Sequence, residues 1–249
     1  MKIITGQSVF PAVAIGRLHF VLRPSVPLSA FSALNPNAEL KRFQQAQRAS
    51  ILHLAALYDQ SRTLVDEHNA SIFAIYAMLV EDEDYQQVVQ DSIRNQGLTA
   101  EYAVYLAGQS FAAAFSAMDN DYMRARSADL RNVSAHLIGE LTGQRQTDTF
   151  AAEPTILVDE EFSPGRILCM DRSWLTGLVS MSGSTKSHAA ELAGALHIPA
   201  IVHINITAEQ EGHLAILDGF DGMLYVDPVP EIFARMEKHS EARHYAQTV

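Results

Sequence analysis

Residues 181–202 hold the one stretch whose residue types and spacing point to specific chemistry. An apolar run ends at Met181, and Ser182, Gly183, Ser184, Thr185, Lys186 and Ser187 make a small, hydroxyl-rich loop. His188 then opens the alanine-rich segment Ala189-Ala190-Glu191-Leu192-Ala193. Read as strand, loop and helix, this order presents unpaired amide N–H groups and the positive end of a helix dipole to an anion, with small side chains leaving room for it. Phosphate is the anion that fits. A neutral imidazole at the mouth of such a loop is a competent nucleophile toward phosphorus near neutral pH, and phosphoryl transfer asks mainly for positioning and charge stabilisation. On the residues alone a second reading stands beside this one, in which His188 packs against or caps the helix start. Lys186 either pairs with phosphoryl oxygens or is solvated. Ser163, before Pro164, either bonds the imidazole or its phosphate, or simply forms a turn.

The elements that must hold this loop follow from periodicity. Short β-type runs are expected at 2–4, 16–22, 155–158, 166–170, 177–181, 200–203, 214–217 and 223–226, with a strand and turn within 9–16 and a helix over 187–196. Between them the period lengthens. Residues 38–68 contain neither Pro nor Gly, and Leu40, Phe43, Ala46, Ile51, Leu54, Leu57, Leu64 and Val65 recur at helical spacing, predicting one long amphipathic helix. Further helices are expected over 70–80, from Asp82 or Asp84 to 95 before Gly97, over 100–118 behind Thr99, and over 122–141 before Gly143. A polar helix is expected over 230–247. The strands before and after the helical block therefore build one α/β domain, residues 1–30 and 148–229, with residues 31–147 as an all-helical insertion and 230–249 the start of a linker helix.

Composition narrows the classes. Eighteen basic against 29 acidic residues leave a net charge of −11, which repels a nucleic-acid backbone and favours a basic protein partner. No run reaches the roughly 20 apolar residues of a membrane helix, and residues 9–16 are too short for a signal sequence. A single cysteine, Cys169, excludes an intrachain disulfide or a thiolate metal cluster and suits a reducing, cytoplasmic compartment. His53, His68, His136, His213, His239 and His244 show no ligand spacing, and His197 and His203 lack a carboxylate or Cys at ligand distance in sequence, so no metal site is expected.

The loop from Gly183 to His188 with the following Ala189-Ala190-Glu191-Leu192-Ala193 and Leu196-His197-Ile198-Pro199-Ala200-Ile201-Val202 resembles the phosphohistidine signature of enzyme I, the phosphoenolpyruvate-protein phosphotransferases of the sugar phosphotransferase system. Ile72-Phe73 with Met78-Leu79-Val80-Glu81-Asp82 resembles the second helix of that family's helical subdomain. The run from Asp119 to Arg131 resembles its acidic turn and Arg-containing helix, and Phe162-Ser163-Pro164 resembles its Thr/Ser-Pro segment. The four matches keep the family's order and span almost the whole chain, as its N-terminal half.

The resemblance implies an α/β phosphohistidine domain with an inserted all-helical subdomain that binds HPr, the small histidine-phosphorylated carrier. His188 matches the phosphorylated histidine, acting through Nε2, and Ser163, Gly183, Ser184, Thr185, Lys186 and Ser187 support the phosphate. Glu67, Ile72, Phe73, Tyr76, Met78, Leu79, Arg126 and Arg131 fall in the carrier-binding helices. Among them, the apolar residues are either core or groove, the acidic group Glu67, Glu81, Asp82, Glu83 and Asp84 is either a solvated face or a basic carrier's target, and Arg131 with Asp129 is either contact or helix-surface ion pair. Phosphoenolpyruvate and Mg²⁺ are expected only in a C-terminal barrel absent from these residues, so no cofactor is expected in this chain. Lys186 stands where the family has Thr, Ala189 replaces a common Thr, and Tyr76 replaces a common His. Two alternatives follow: a carrier-binding domain that no longer accepts phosphate, or the phosphohistidine domain of a dikinase or multiphosphoryl-transfer protein. The helical insertion argues against a dikinase.

Overall fold

The structure is a computed structural model that describes residues 1–21, 35–143, 152–234 and 236. It divides into two compact units, Met1–Arg23 with Thr147–Val249, and Pro24–Gln146. The junctions near 30 and 147, and the part of the expected C-terminal helix beyond residue 236, lie outside the described residues.

In the first unit an eight-stranded mixed sheet has the order β1-β8-β7-β3-β4-β5-β6-β2. Its strands are β1 (Lys2–Thr5), β2 (Gln7–Phe10), β3 (Val13–Phe20), β4 (Thr155–Asp159), β5 (Leu175–Ser180), β6 (Ala200–Val202), β7 (Leu214–Asp218) and β8 (Met223–Val226). The run β3-β4-β5-β6 is parallel, and the remaining pairs are antiparallel. β1 pairs with β8 and β2 with β6 although Gly6 alone separates them, so one N-terminal segment joins the two sheet edges and leaves neither unpaired. Gly6 makes this crossing possible, because a Cβ there would lie 2.6 Å from the Val202 carbonyl oxygen. Leu18, Ile156, Val158, Val179, Ile201, Ala215, Leu217 and Leu224 fill the core against the sheet.

Two helices connect the parallel strands: α6 (Pro164–Cys169) follows β4, and α7 (His188–Ala195) follows β5. The strand expected over 166–170 is thus corrected to helix α6. Ser163 Oγ accepts the Arg166 N–H at 3.3 Å, Pro164 stands in the first turn, and Ile167 and Leu168 bury one face. A short apolar run carries too little periodicity to separate these states, and the Ser-Pro cap was the deciding signal.

The second unit is all helix: α1 (Pro36–Ser61), α2 (Glu67–Glu81), α3 (Glu83–Gln96), α4 (Ala100–Ser116) and α5 (Asp121–Thr142). Each begins with a side-chain cap, from Asn35, Asp66, Asp82, Thr99 and Asn120 respectively. Gly97 and Gly143 end α3 and α5 in the left-handed region, at φ +64° and +68°. The single helix expected over 38–68 is instead broken after Ser61. Asp66 Oδ1 accepts the Asn69 N–H at 2.8 Å and starts α2 afresh, so Leu64 and Val65 belong to the turn. α4 and α5 touch closely at Gly108, where a Cβ would meet Ser134 Oγ at 2.1 Å.

Candidate functional site

β4 and β5 are parallel neighbours, so the loops at their carboxyl ends lie side by side at the edge of the sheet where open α/β folds place ligands. The β5 loop is tied to the end of β4. Met181 N–H donates to the Asp159 carbonyl at 3.0 Å, and both the N–H and Oγ–H of Ser182 donate to the Glu160 carbonyl at 2.8 Å. Gly183 then turns the chain at φ +97°, in the region that favours glycine. Ser184 closes the turn: its Oγ accepts the Lys186 N–H at 3.1 Å and its carbonyl accepts the Ser187 N–H at 3.0 Å. Ser187 caps α7, its Oγ accepting the Ala190 N–H at 3.2 Å while its carbonyl takes the Glu191 N–H. His188 and Ala189 are the first two residues of α7, so their N–H groups point toward its N-terminal end.

His188 is therefore the first residue of α7, half-buried, with its Nδ1 shielded from solvent. Thr185 and Lys186 are exposed at the loop tip, and Ser187 is buried as the cap. Glu161, Phe162, Ser182, Gly183, Ser187 and Ala189 line a small pocket under the loop. Ser163 belongs to the neighbouring loop, where its Oγ accepts a backbone N–H as the cap of α6. Beneath both loops, Arg166 Nη1 donates to Asp159 Oδ2 at 3.1 Å in an almost fully buried ion pair. Asp159 also accepts the Glu160 N–H at 2.7 Å, so it joins the two loops to the sheet.

In the helical unit the structure separates the carrier-binding candidates into surface and core. Glu67 and Met78 are exposed, Met78 by 70%, and Leu79 is half-buried. Ile72, Phe73 and Tyr76 are 2%, 0% and 3% exposed, so as contact residues they are corrected to core residues that support the α2 surface. Tyr76 donates its hydroxyl to buried Asp129 Oδ1 at 2.9 Å and accepts from Asn132. Arg126 pairs with the same Asp129 at 3.4 Å and stacks on the exposed Tyr122 ring at 4.6 Å. Arg131, two residues beyond Asp129, is half-buried. Helical spacing of three brings Arg126 and Asp129 to one face, which a spacing of two does not. Glu81, Asp82, Glu83 and Asp84 are all exposed at the α2–α3 junction.

Two family models together match most of the chain. Residues 5–126 match the N-terminal region of PEP-utilising enzymes, and residues 151–222 match their mobile domain. The chain belongs to the PEP-utilising enzymes. It is 28% identical over 249 residues to the phosphoenolpyruvate-protein phosphotransferases of Bacillus sp. (strain S) and of Geobacillus stearothermophilus, covering 99% of this chain and 43% of each relative. It thus spans less than half the length of those relatives. Among solved structures, an enzyme I solution structure superposes with a TM-score of 0.71 at 23% identity, covering 97% of this chain and 99% of that one. The N-terminal domain of the nitrogen enzyme I superposes at 0.59 with 26% identity, covering 94% and 98%.

Four features that the fold brings together are not legible along the chain. Glu161 sits against the loop, its Oε1 3.4 Å from where a Gly183 Cβ would be. Arg166, which forms the buried pair with Asp159, lies in the run 166–170 expected as strand. Ile75, 37% exposed, shares the open face of α2 with Met78, three residues on. His53, His136 and Glu140 converge so that one ligand atom from each lies within 4.8 Å of the others, a grouping that the spacing of the histidines along the chain does not suggest. The visible half of that signal was His136 and Glu140 four apart in a helix. Among the described residues no helix is long and apolar enough to cross a membrane.

Proposed function

We propose that this chain carries a phosphoryl group on Nε2 of His188 and exchanges it with the histidine of an HPr-like carrier in the cytoplasmic sugar phosphotransferase system. The observation that carries the reading is the position of His188: first residue of α7, beside first-turn amide donors, at the carboxyl edge of two parallel strands, with Nδ1 turned inward. That leaves Nε2 to meet the phosphorus. Its lone pair forms the new N–P bond as the carrier's N–P bond breaks, and that electron pair returns to the carrier imidazole, so the exchange needs no net proton. The His188 and Ala189 amides and the loop hydroxyls face the charge on the phosphoryl oxygens, and Lys186 at the exposed tip adds a mobile cation. Ser163, as a hydroxyl on the adjacent loop, orients the imidazole or its phosphate.

The carrier is held by the exposed face of α2, with Ile75, Met78 and Leu79 as apolar contacts, Glu67 and the acidic α2–α3 junction facing its basic side, and Arg126 and Arg131 as flanking cations. Phosphoenolpyruvate and Mg²⁺ belong to a donor domain of the longer relatives' kind, and the exchange at His188 itself requires neither.

Intact-mass analysis of the chain mixed with phosphorylated carrier, without Mg²⁺ and beside His188→Ala, tests this. The expected result is an acid-labile gain of one phosphoryl in the parent chain and none in the variant. Binding without any gain would replace the reading with a carrier-binding domain that does not accept phosphate, the role that the nearby Glu161 carboxylate favours. Equal gain in His188→Ala would move the phosphoryl to another residue.

A further inference from the structure

We propose that His53, His136 and Glu140 bind one borderline divalent transition cation, Zn²⁺ being the reference ion, between α1 and α5. His136 and Glu140 stand four residues apart on α5, so their side chains project from one face one turn apart, the arrangement in which helices chelate metals. His53 reaches the same place from α1. The three ligand atoms already lie within 4.8 Å of one another. His53 Nδ1 and Glu140 Oε1 are 3.3 Å apart, about the edge of a tetrahedron built on ligand bonds of about 2.0–2.1 Å. The two imidazoles lie 5.0 Å apart between centroids and are tilted by 36°.

Burial strengthens the case. The Glu140 side chain is only 9% exposed, so a divalent ion there meets its carboxylate in a poorly solvated place where the attraction is strong. The His53 side chain, 27% exposed, leaves an entry path and room for a water as fourth ligand. Two nitrogens and one oxygen suit Zn²⁺, Co²⁺ or Ni²⁺ and disfavour Mg²⁺ and Ca²⁺, which take all-oxygen sites. Because the ligands come from two helices, the ion joins α1 to α5 and stabilises the helical unit by an amount that grows with the logarithm of its concentration above Kd.

The test is a Zn²⁺ titration of the chelator-treated full chain by calorimetry, with Co²⁺ absorption as a second probe of coordination and the thermal midpoint recorded with and without Zn²⁺. His53→Ala, His136→Ala and Glu140→Gln are compared with His188→Ala, all checked for helicity. One Zn²⁺ per chain, a Zn²⁺-dependent rise in the midpoint, and at least about 100-fold weaker binding in either histidine variant are expected, with His188→Ala unchanged. Absence of binding, or unchanged binding in both His53→Ala and His136→Ala, overturns the site. In the latter case the ion belongs to another of the ten histidines, such as His213, whose Nδ1 lies 2.7 Å from Asp227. If His136→Ala fails to fold, His53→Ala, at the more exposed ligand, decides.

Discussion

Gly183 sets the direction of the loop that ends in His188. Its φ of +97° lies where a side chain strains the backbone, and a Cβ there would stand 3.4 Å from the Glu161 carboxylate. Gly183→Val is expected to lower stability by about 1–3 kcal/mol, read as a lower urea midpoint at unchanged slope. It is also expected to slow phosphoryl uptake by more than the loss of folded protein explains, because the amides that follow are re-aimed. Uptake that falls only with the folded fraction would leave Gly183 a folding residue alone. At this scale much was legible. His188, Ser187 and the small loop residues announce themselves by type and order, since a cap and a helix start are decided within four residues. Glu161 and the Asp159–Arg166 pair were not, because nothing local says that a carboxylate at the end of β4 turns under the loop after β5.

Tyr85 of α3 reaches α5, where its hydroxyl bonds Ser134 Oγ at 2.8 Å. Burial pushes the Tyr85 phenol up to about 12, the Ser134 hydrogen bond offsetting only part of the effect. The unfolded chain ionises this group near the ordinary value of about 10. Its contribution to stability is therefore full below about pH 10 and is lost as pH rises through about 12, where the buried phenol must ionise. Tyr85→Phe is expected to cost about 1 kcal/mol at neutral pH and to flatten the alkaline fall in stability, checked by urea melts across that range. An alkaline slope identical in both proteins would show that other groups control it. The helices themselves were legible from apolar spacing and from caps at Asp82, Thr99 and Gly97. The break between α1 and α2 was not, because apolar Leu64 and Val65 continue the period through a turn that Asp66 interrupts.

For the whole molecule the net charge of −11 governs encounter with a partner. A carrier with a basic face is steered in at low salt, and raising ionic strength to about 1 M shortens the screening length to about 3 Å. The association rate measured by stopped flow is expected to fall about tenfold or more while the dissociation rate changes little. A salt-independent association rate would assign docking to the apolar Ile75–Met78 face of α2 alone. The sequence by itself determined the order of elements, their caps, the helical insertion between two groups of strands, and the histidine at the head of α7. These depend on neighbours within a turn or a pleat, so their causes are written next to them. Only the tertiary structure decided that Ile72, Phe73 and Tyr76 face inward while Met78 faces water, that Arg126 takes Asp129, and that His53 meets His136 and Glu140. Helical periodicity says which residues share a face, but which face is covered depends on the neighbouring helix, and residues more than eighty positions apart become neighbours only when the chain has packed.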